Sequence, residues 1–207
     1  MLFRPRLRTF IVLALPVLAL AMHGCSSDRY GKASPRVVKL GEPVPKGGGR
    51  YKLGSPYTID GQTFVPREQP NYDEVGHGSF YSEDFHGRKT ANGEVFDMMS
   101  LSAAHPTLPL PSYAYVTNLE NGRTILVRIN DRGPYVKSRL IDLSKYSARL
   151  LGYERKGIAQ LRVRYAGPAP LSGDDRAEQR FLMSQAWYRQ SDRGMMSLGV
   201  RCGPIGP

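Results

Sequence analysis

Tyr113-Ala114-Tyr115-Val116-Thr117-Asn118-Leu119, then Glu120-Asn121-Gly122-Arg123, then Thr124-Ile125-Leu126-Val127-Arg128-Ile129-Asn130: two short runs rich in β-branched and aromatic residues flank an Asn-Gly pair. Asn and Gly accept positive φ at little cost, so this pattern predicts a β-hairpin over 113–130. Outward from it the apolar residues stay short and alternating, as in Leu161, Val163 and Tyr165. Asn92-Gly93 and Gly133-Pro134 add further turns. One helix is expected, with Ser144 as N-cap, 145–151 as body and Gly152 as the stop. About 90 residues of short strands with one or two short helices predict a mainly β fold, a small closed barrel over 74–166.

The flanks read differently. Arg4, Arg6 and Arg8 precede the apolar run 10–22, too short for a comfortable membrane span but the right length for a signal core, so 1–24 reads as a signal peptide. The run ends at His23-Gly24-Cys25-Ser26-Ser27, which resembles a bacterial lipobox with Cys25 as the lipidated residue. Ser26 after that cysteine resembles outer-membrane sorting. Residues 25–49, with Pro35, Pro43, Pro45 and Gly47-Gly48-Gly49, are expected to be a disordered tether. An ordered lead-in is expected over 50–73, and a tail that is partly helical (174–190) or disordered over 167–207.

The formal charge is +11, and +8 without the three signal arginines. Export and the even spread of Lys and Arg, with no basic run, exclude a nucleic-acid binder and leave anionic lipid or wall peptides as partners. With Cys25 lipidated, Cys202 has no intrachain partner and is either free or bonded between chains. Neither a metal site nor a cofactor is expected.

Two acids sit in turns rather than on a charged helix face: Glu94 in Thr90-Ala91-Asn92-Gly93-Glu94 and Asp131 in Asn130-Asp131-Arg132-Gly133-Pro134. A fixed turn backbone aims its side chains, which is what glycoside cleavage asks of carboxyl groups. Asp131 ends a strand and should lie at the mouth of the barrel. Arg132 either lowers the Asp131 pKa or turns away to a partner such as Asp142.

Gly78-Ser79-Phe80-Tyr81, the run 85–97, Ala103-Ala104-His105-Pro106, Val116-Thr117-Asn118-Leu119, 127–134 and Ile141-Asp142-Leu143-Ser144 occur in one order and spacing. In these segments the chain resembles the rare lipoprotein A (RlpA) family. The resemblance implies a six-stranded double-psi β-barrel and a lytic transglycosylase that cuts peptidoglycan glycan strands. It implies Asp131 as the acid/base, Glu94 as a second carboxylate and His105 as a third functional position. Glu94 has three open roles: raising the Asp131 pKa, steadying charge at the sugar C1, or bonding a sugar. His105 either orients a carboxylate, contacts substrate or is structural. Tyr81, His86, Thr90 and Asn92 are expected to face the sugar.

Better-known members of that family carry a C-terminal SPOR domain, and the 40-residue tail is shorter than one. This puts septal targeting in question. The alternative reading is a non-catalytic wall-binding or division-scaffold lipoprotein. The expected setting is the cell envelope, lipid-anchored and facing the periplasm, with peptidoglycan strands and division or wall-synthesis proteins as partners.

Overall fold

The computed structural model describes residues 34–190. Cys25, the signal segment and Cys202 lie outside these residues. The chain opens with a small antiparallel hairpin, β1 (Tyr57–Ile59) and β2 (Gln62–Phe64). Its turn is Asp60-Gly61, with φ of +47° and +74°, the backbone that a two-residue hairpin loop requires.

Six strands then close a barrel: β3 (Asp73–Phe80), β4 (Ser102–Ala104), β5 (Ser112–Asn118), β6 (Thr124–Asp131), β7 (Arg139–Leu143) and β8 (Ala159–Pro168). The order around the barrel is β3-β7-β4-β6-β5-β8. β3–β7 and β4–β6 pair in parallel and the other four contacts are antiparallel. β3 and β4, and likewise β6 and β7, are not neighbours in this order, so the connections 81–101 and 132–138 must cross to another strand, and these long segments carry much of the site.

The expected hairpin is β5–β6, in register from Ser112↔Ile129 to Thr117↔Thr124. Asn118 and Asn121 tie its loop to the end of α1 (Lys145–Leu150) by donating to Leu151 O, both at 2.9 Å. Ser144 caps α1, its hydroxyl accepting from Ser147 N at 3.1 Å.

Alternation along the strands fills the barrel. Val116, Ile125, Val127, Ile129, Ile141, Leu161 and Val163 are all fully buried. The other face of β6 is covered as well, because α2 (Arg176–Ser184) packs on that strand.

The helix expected within 174–190 is present as α2, whereas the tether differs from the expectation. The described part of the tether, 34–49, lies along the barrel: Val37 and Val38 donate to Gly87 O at 2.7 and 3.1 Å. It is short of apolar residues and is held by backbone bonds instead, which composition does not reveal. The tail is likewise part of the domain. Ala169 and Leu182 are buried, and Leu182 belongs to the core.

Candidate active site

Asp131 is the last residue of β6. Val127 and Ile129 point into the barrel, and the register with β4 then shifts, Ala103 facing Ile129 and Ala104 facing Asp131; past this irregularity the Asp131 carboxyl meets Ala91 and Tyr81. Its neighbours across the sheet are Ala104 on β4 and then Asp142 on β7. Oδ1 accepts from the backbone N–H of Ala91 and of Arg132, both at 2.8 Å. Among the described residues, Oδ2 accepts only from the Tyr81 hydroxyl, at 3.4 Å. Burial pushes the carboxyl up to about 6; the two N–H groups, Tyr81 and Arg132 oppose this without cancelling it. One oxygen is thus held by the backbone and the other is left for a proton.

Glu94 lies on the opposite face of β6. Arg128 and Asn130, two residues apart on that face, hold its carboxylate. Arg128 Nη2 reaches Oε1 at 2.5 Å and Arg128 Nε reaches Oε2 at 2.9 Å, while Asn130 Nδ2 donates to Oε2 at 3.0 Å. Asn92 Nδ2 adds a bond to Oε1 at 2.9 Å. Burial alone would raise this carboxyl, but the bonds from Arg128, Asn130 and Asn92 outweigh it and hold the group below the usual carboxylate range. Glu94 is therefore an ionised, saturated anchor. The leading cause of the Asp131 shift is burial rather than the Glu94 charge.

The two acids are linked by the turn 90–94. Glu94 holds one side of it, and Ala91 on the other donates to Asp131. Gly93 turns it with φ +99°. The strap runs over this turn, where Arg50 N donates to Asn92 O at 2.9 Å and Lys52 Nζ to Ala91 O at 3.1 Å. Gly49 sits so close that a Cβ there would lie 2.8 Å from both Asn92 Nδ2 and Glu94 Cγ.

Arg132 does not pair with Asp142. Its guanidinium donates to the carbonyls of His105 (3.2 Å), Leu108 (2.7 Å) and Leu53 (2.7 Å). Asp142 instead accepts from Ser79 Oγ at 2.6 Å and pairs with Arg139 at 3.5 Å. One strand separates Asp142 from Asp131, and Arg139 is on its own strand.

His105 is fully buried and both its ring nitrogens are engaged within the protein. Nδ1 accepts from Thr107 N and Leu108 N at 3.2 and 3.1 Å, which puts the proton on Nε2, 2.8 Å from the Tyr72 hydroxyl. Burial, aided by the Arg132 charge, lowers its pKa to about 3. The neutral ring shapes the 105–108 loop, and that loop's carbonyls catch Arg132.

Of the four expected sugar-facing residues, Tyr81 alone meets the Asp131 carboxyl, with Phe85 and Phe96 packed on its ring at 5.1 and 5.0 Å. His86, Thr90 and Asn92 are buried, and they differ from the expectation for one reason: their polar atoms are used internally. Thr90 Oγ1 donates to Asn92 Oδ1 at 2.8 Å, and His86 Nδ1 accepts from Met98 N at 3.3 Å.

Sequence reasoning missed Arg128, the counter-ion of Glu94, and the aromatic wall beside Asp131. Tyr135 packs edge-on against Tyr57 and Phe64, both at 6.1 Å between centroids. The Asp131 charge bears on the phenols of Tyr57 and Tyr135. Asp60-Gly61 between Tyr57–Ile59 and Gln62–Phe64 was the signal for that wall.

Residues 73–165 match the family model described as lytic transglycolase. Two curated relatives bear the name endolytic peptidoglycan transglycosylase RlpA. The one from Pseudomonas aeruginosa is 46% identical over 133 residues, covering 64% of this chain and 39% of that protein. The one from Rickettsia bellii is 42% identical over 120 residues, covering 56% of this chain and 53% of that protein. The chain thus spans about half or less of the length of these relatives. Among solved structures, a Streptomyces papain inhibitor matches with a TM-score of 0.40 and 22% identity, over 48% of this chain and 99% of that one. In its motifs and its barrel, residues 73–165 are thus similar to the lytic transglycolase family model and to the RlpA relatives.

Proposed function

We propose that this barrel is a peptidoglycan lytic transglycosylase, cutting β-1,4 MurNAc–GlcNAc bonds with Asp131 as its acid/base. The observation that carries the reading is the asymmetric Asp131 carboxyl: Oδ1 pinned by two backbone N–H groups, Oδ2 open beside Tyr81. Cleavage needs an acid to protonate the leaving oxygen as positive charge grows at C1. With the carboxyl raised to about 6, about a tenth of the molecules hold that proton at pH 7.

The proton passes from Oδ2 to the glycosidic oxygen as the bond from C1 breaks. The muramyl C6 hydroxyl then attacks C1, forming the 1,6-anhydro ring, and its proton returns to Asp131. One carboxyl serves both halves and no water is activated. Glu94 acts by position: it holds the 90–94 turn and so the Ala91 N–H on Asp131. Thr90, Asn92 and His86 support the same turn, while His105 and Arg132 brace the floor.

The reading extends to the chain's setting. Cys25 is proposed as the lipidated residue of an envelope lipoprotein facing the periplasm, with outer-membrane sorting. Loss of labelled palmitate in Cys25→Ala tests that arm separately.

Mass spectrometry of digested glycan strands tests the chemistry. Purified protein should release 1,6-anhydromuramyl ends from sacculi, and Asp131→Asn should release none while remaining folded. Equal release by the variant removes Asp131 from the role. Reducing-end products would make the enzyme a hydrolase. Retention on sacculi with no soluble fragments would leave a glycan-binding barrel.

A further inference from the structure

We propose that the β1–β2 hairpin and the segment after Asp131 form a pocket for one further sugar of the strand, carrying amide and carboxylate groups. This inference rests on the glycan-cutting reading of the neighbouring site. The hairpin lies outside residues 73–165, which match the family model.

The pocket has a volume of about 210 Å³ and is lined by Ile59, Asp60 and Gln62 of the hairpin and Tyr135, Val136 and Lys137 of the barrel. Sites for drug-sized ligands run to roughly 300–1,000 Å³, so this one suits a single ring. It is held firmly in place. Tyr57 stacks on Phe64 at 5.2 Å, and its hydroxyl donates to Pro106 O at 2.8 Å, joining the hairpin to the loop that grips Arg132. The pocket is also close to the chemistry: Tyr135 lines it, and the Asp131 charge reaches that phenol.

The lining fits an N-acetylated, acidic sugar group by group. Ile59, Val136 and the Tyr135 ring offer apolar surface to one face of a pyranose. The Gln62 Oε1 is buried with no hydrogen-bond partner among the described residues. Such an acceptor is costly to leave unmade, and an acetamido N–H of the ligand supplies the missing bond once the amide turns toward it. Asp60 accepts sugar hydroxyls at the exposed rim. Lys137, also exposed, pairs with a lactyl or stem-peptide carboxylate. A neutral glucose polymer has neither the amide nor the carboxylate and should be discriminated against.

The test measures binding without turnover. Full-length Asp131→Asn protein is titrated with purified peptidoglycan strands, and the same protein carrying in addition Gln62→Ala or Lys137→Ala is compared with it. Each added substitution should weaken binding about tenfold, with the thermal midpoint unmoved, and cello-oligosaccharides should bind none of the three. Lys137 is exposed, so its variant reports even if Gln62→Ala disturbs the hairpin. Unchanged strand affinity in the Lys137→Ala protein, or equal affinity for cello-oligosaccharides, overturns the proposal. Anhydro product is scored separately with Asp131 intact. Product formed without the binding contrast removes the pocket alone. A binding contrast without product removes the transglycosylase reading and leaves the pocket.

Discussion

At Asp131 the same burial that makes an acid also destabilises the fold once the group ionises, and the two consequences run in the same direction with pH. For catalysis the protonated form is the competent one, so kcat/KM should fall about tenfold per pH unit above about 6. A pH–rate profile of strand cleavage checks this; a flat profile from 5 to 8 would remove the assignment. For stability, the folded carboxyl holds its proton up to about 6 while the unfolded one loses it near 3.8. Stability from this group is therefore full below 3.8 and lost as pH rises through 6. Asp131→Asn should gain up to about 3 kcal/mol at pH 7 relative to the parent. The gain should vanish at pH 3, as denaturant titrations at both pH values would show.

The 90–94 turn and the 105–108 loop are the elements that aim the acid, and each is fastened by a buried group of unusual charge state. Removing one partner of a buried ion pair costs about 3–5 kcal/mol, so Glu94→Gln should lose roughly that, somewhat relieved by the amide's own bonds to Asn92 and Asn130. Because the folded Glu94 pKa is depressed, its contribution is present above 4.5 and lost as pH falls through the lower folded value. Unfolding of parent and variant should accordingly converge in acid. His105 has the reverse character. With its pKa near 3, nitrogen NMR should show one neutral tautomer, protonated at Nε2, throughout pH 8 to 5. A His105 signal titrating near 6 would contradict the buried geometry and reopen the question of which group sets the rate profile.

On the scale of the whole molecule, the domain is larger than the barrel that matches the family. The strap from 34 and the helix α2 both close on it: Pro170 O accepts from Arg128 Nη2 at 2.8 Å, and Leu182 fills the core. Truncating a buried leucine costs about 2–5 kcal/mol, so Leu182→Ala should lower stability by that amount in urea titration. A loss under 1 kcal/mol would make α2 peripheral. The β5–β6 hairpin and α1 were legible because their signals are local: alternation, Asn-Gly, a serine cap. The ordering of the strap and the packing of α2 were not. Both depend on surfaces such as Gly87 O and the outer face of β6, which exist only once the barrel has closed.

The sequence by itself determined the strand-and-turn grammar, the two turn-held acids and, through its motifs, the likeness to the RlpA relatives. It could do so because side-chain alternation and turn chemistry act over a few residues. Only the tertiary structure decided which acid is free. Glu94 and Arg128 are 34 residues apart, and no local rule predicts that they meet on the covered face of β6. Asp131, one residue beyond Asn130, falls on the other face, where burial raises its pKa and Tyr81 leaves an oxygen open. Two carboxylates of equal appearance in the chain thus become an anchored anion and a buried carboxyl of raised pKa through the contacts that meet at the end of a single strand.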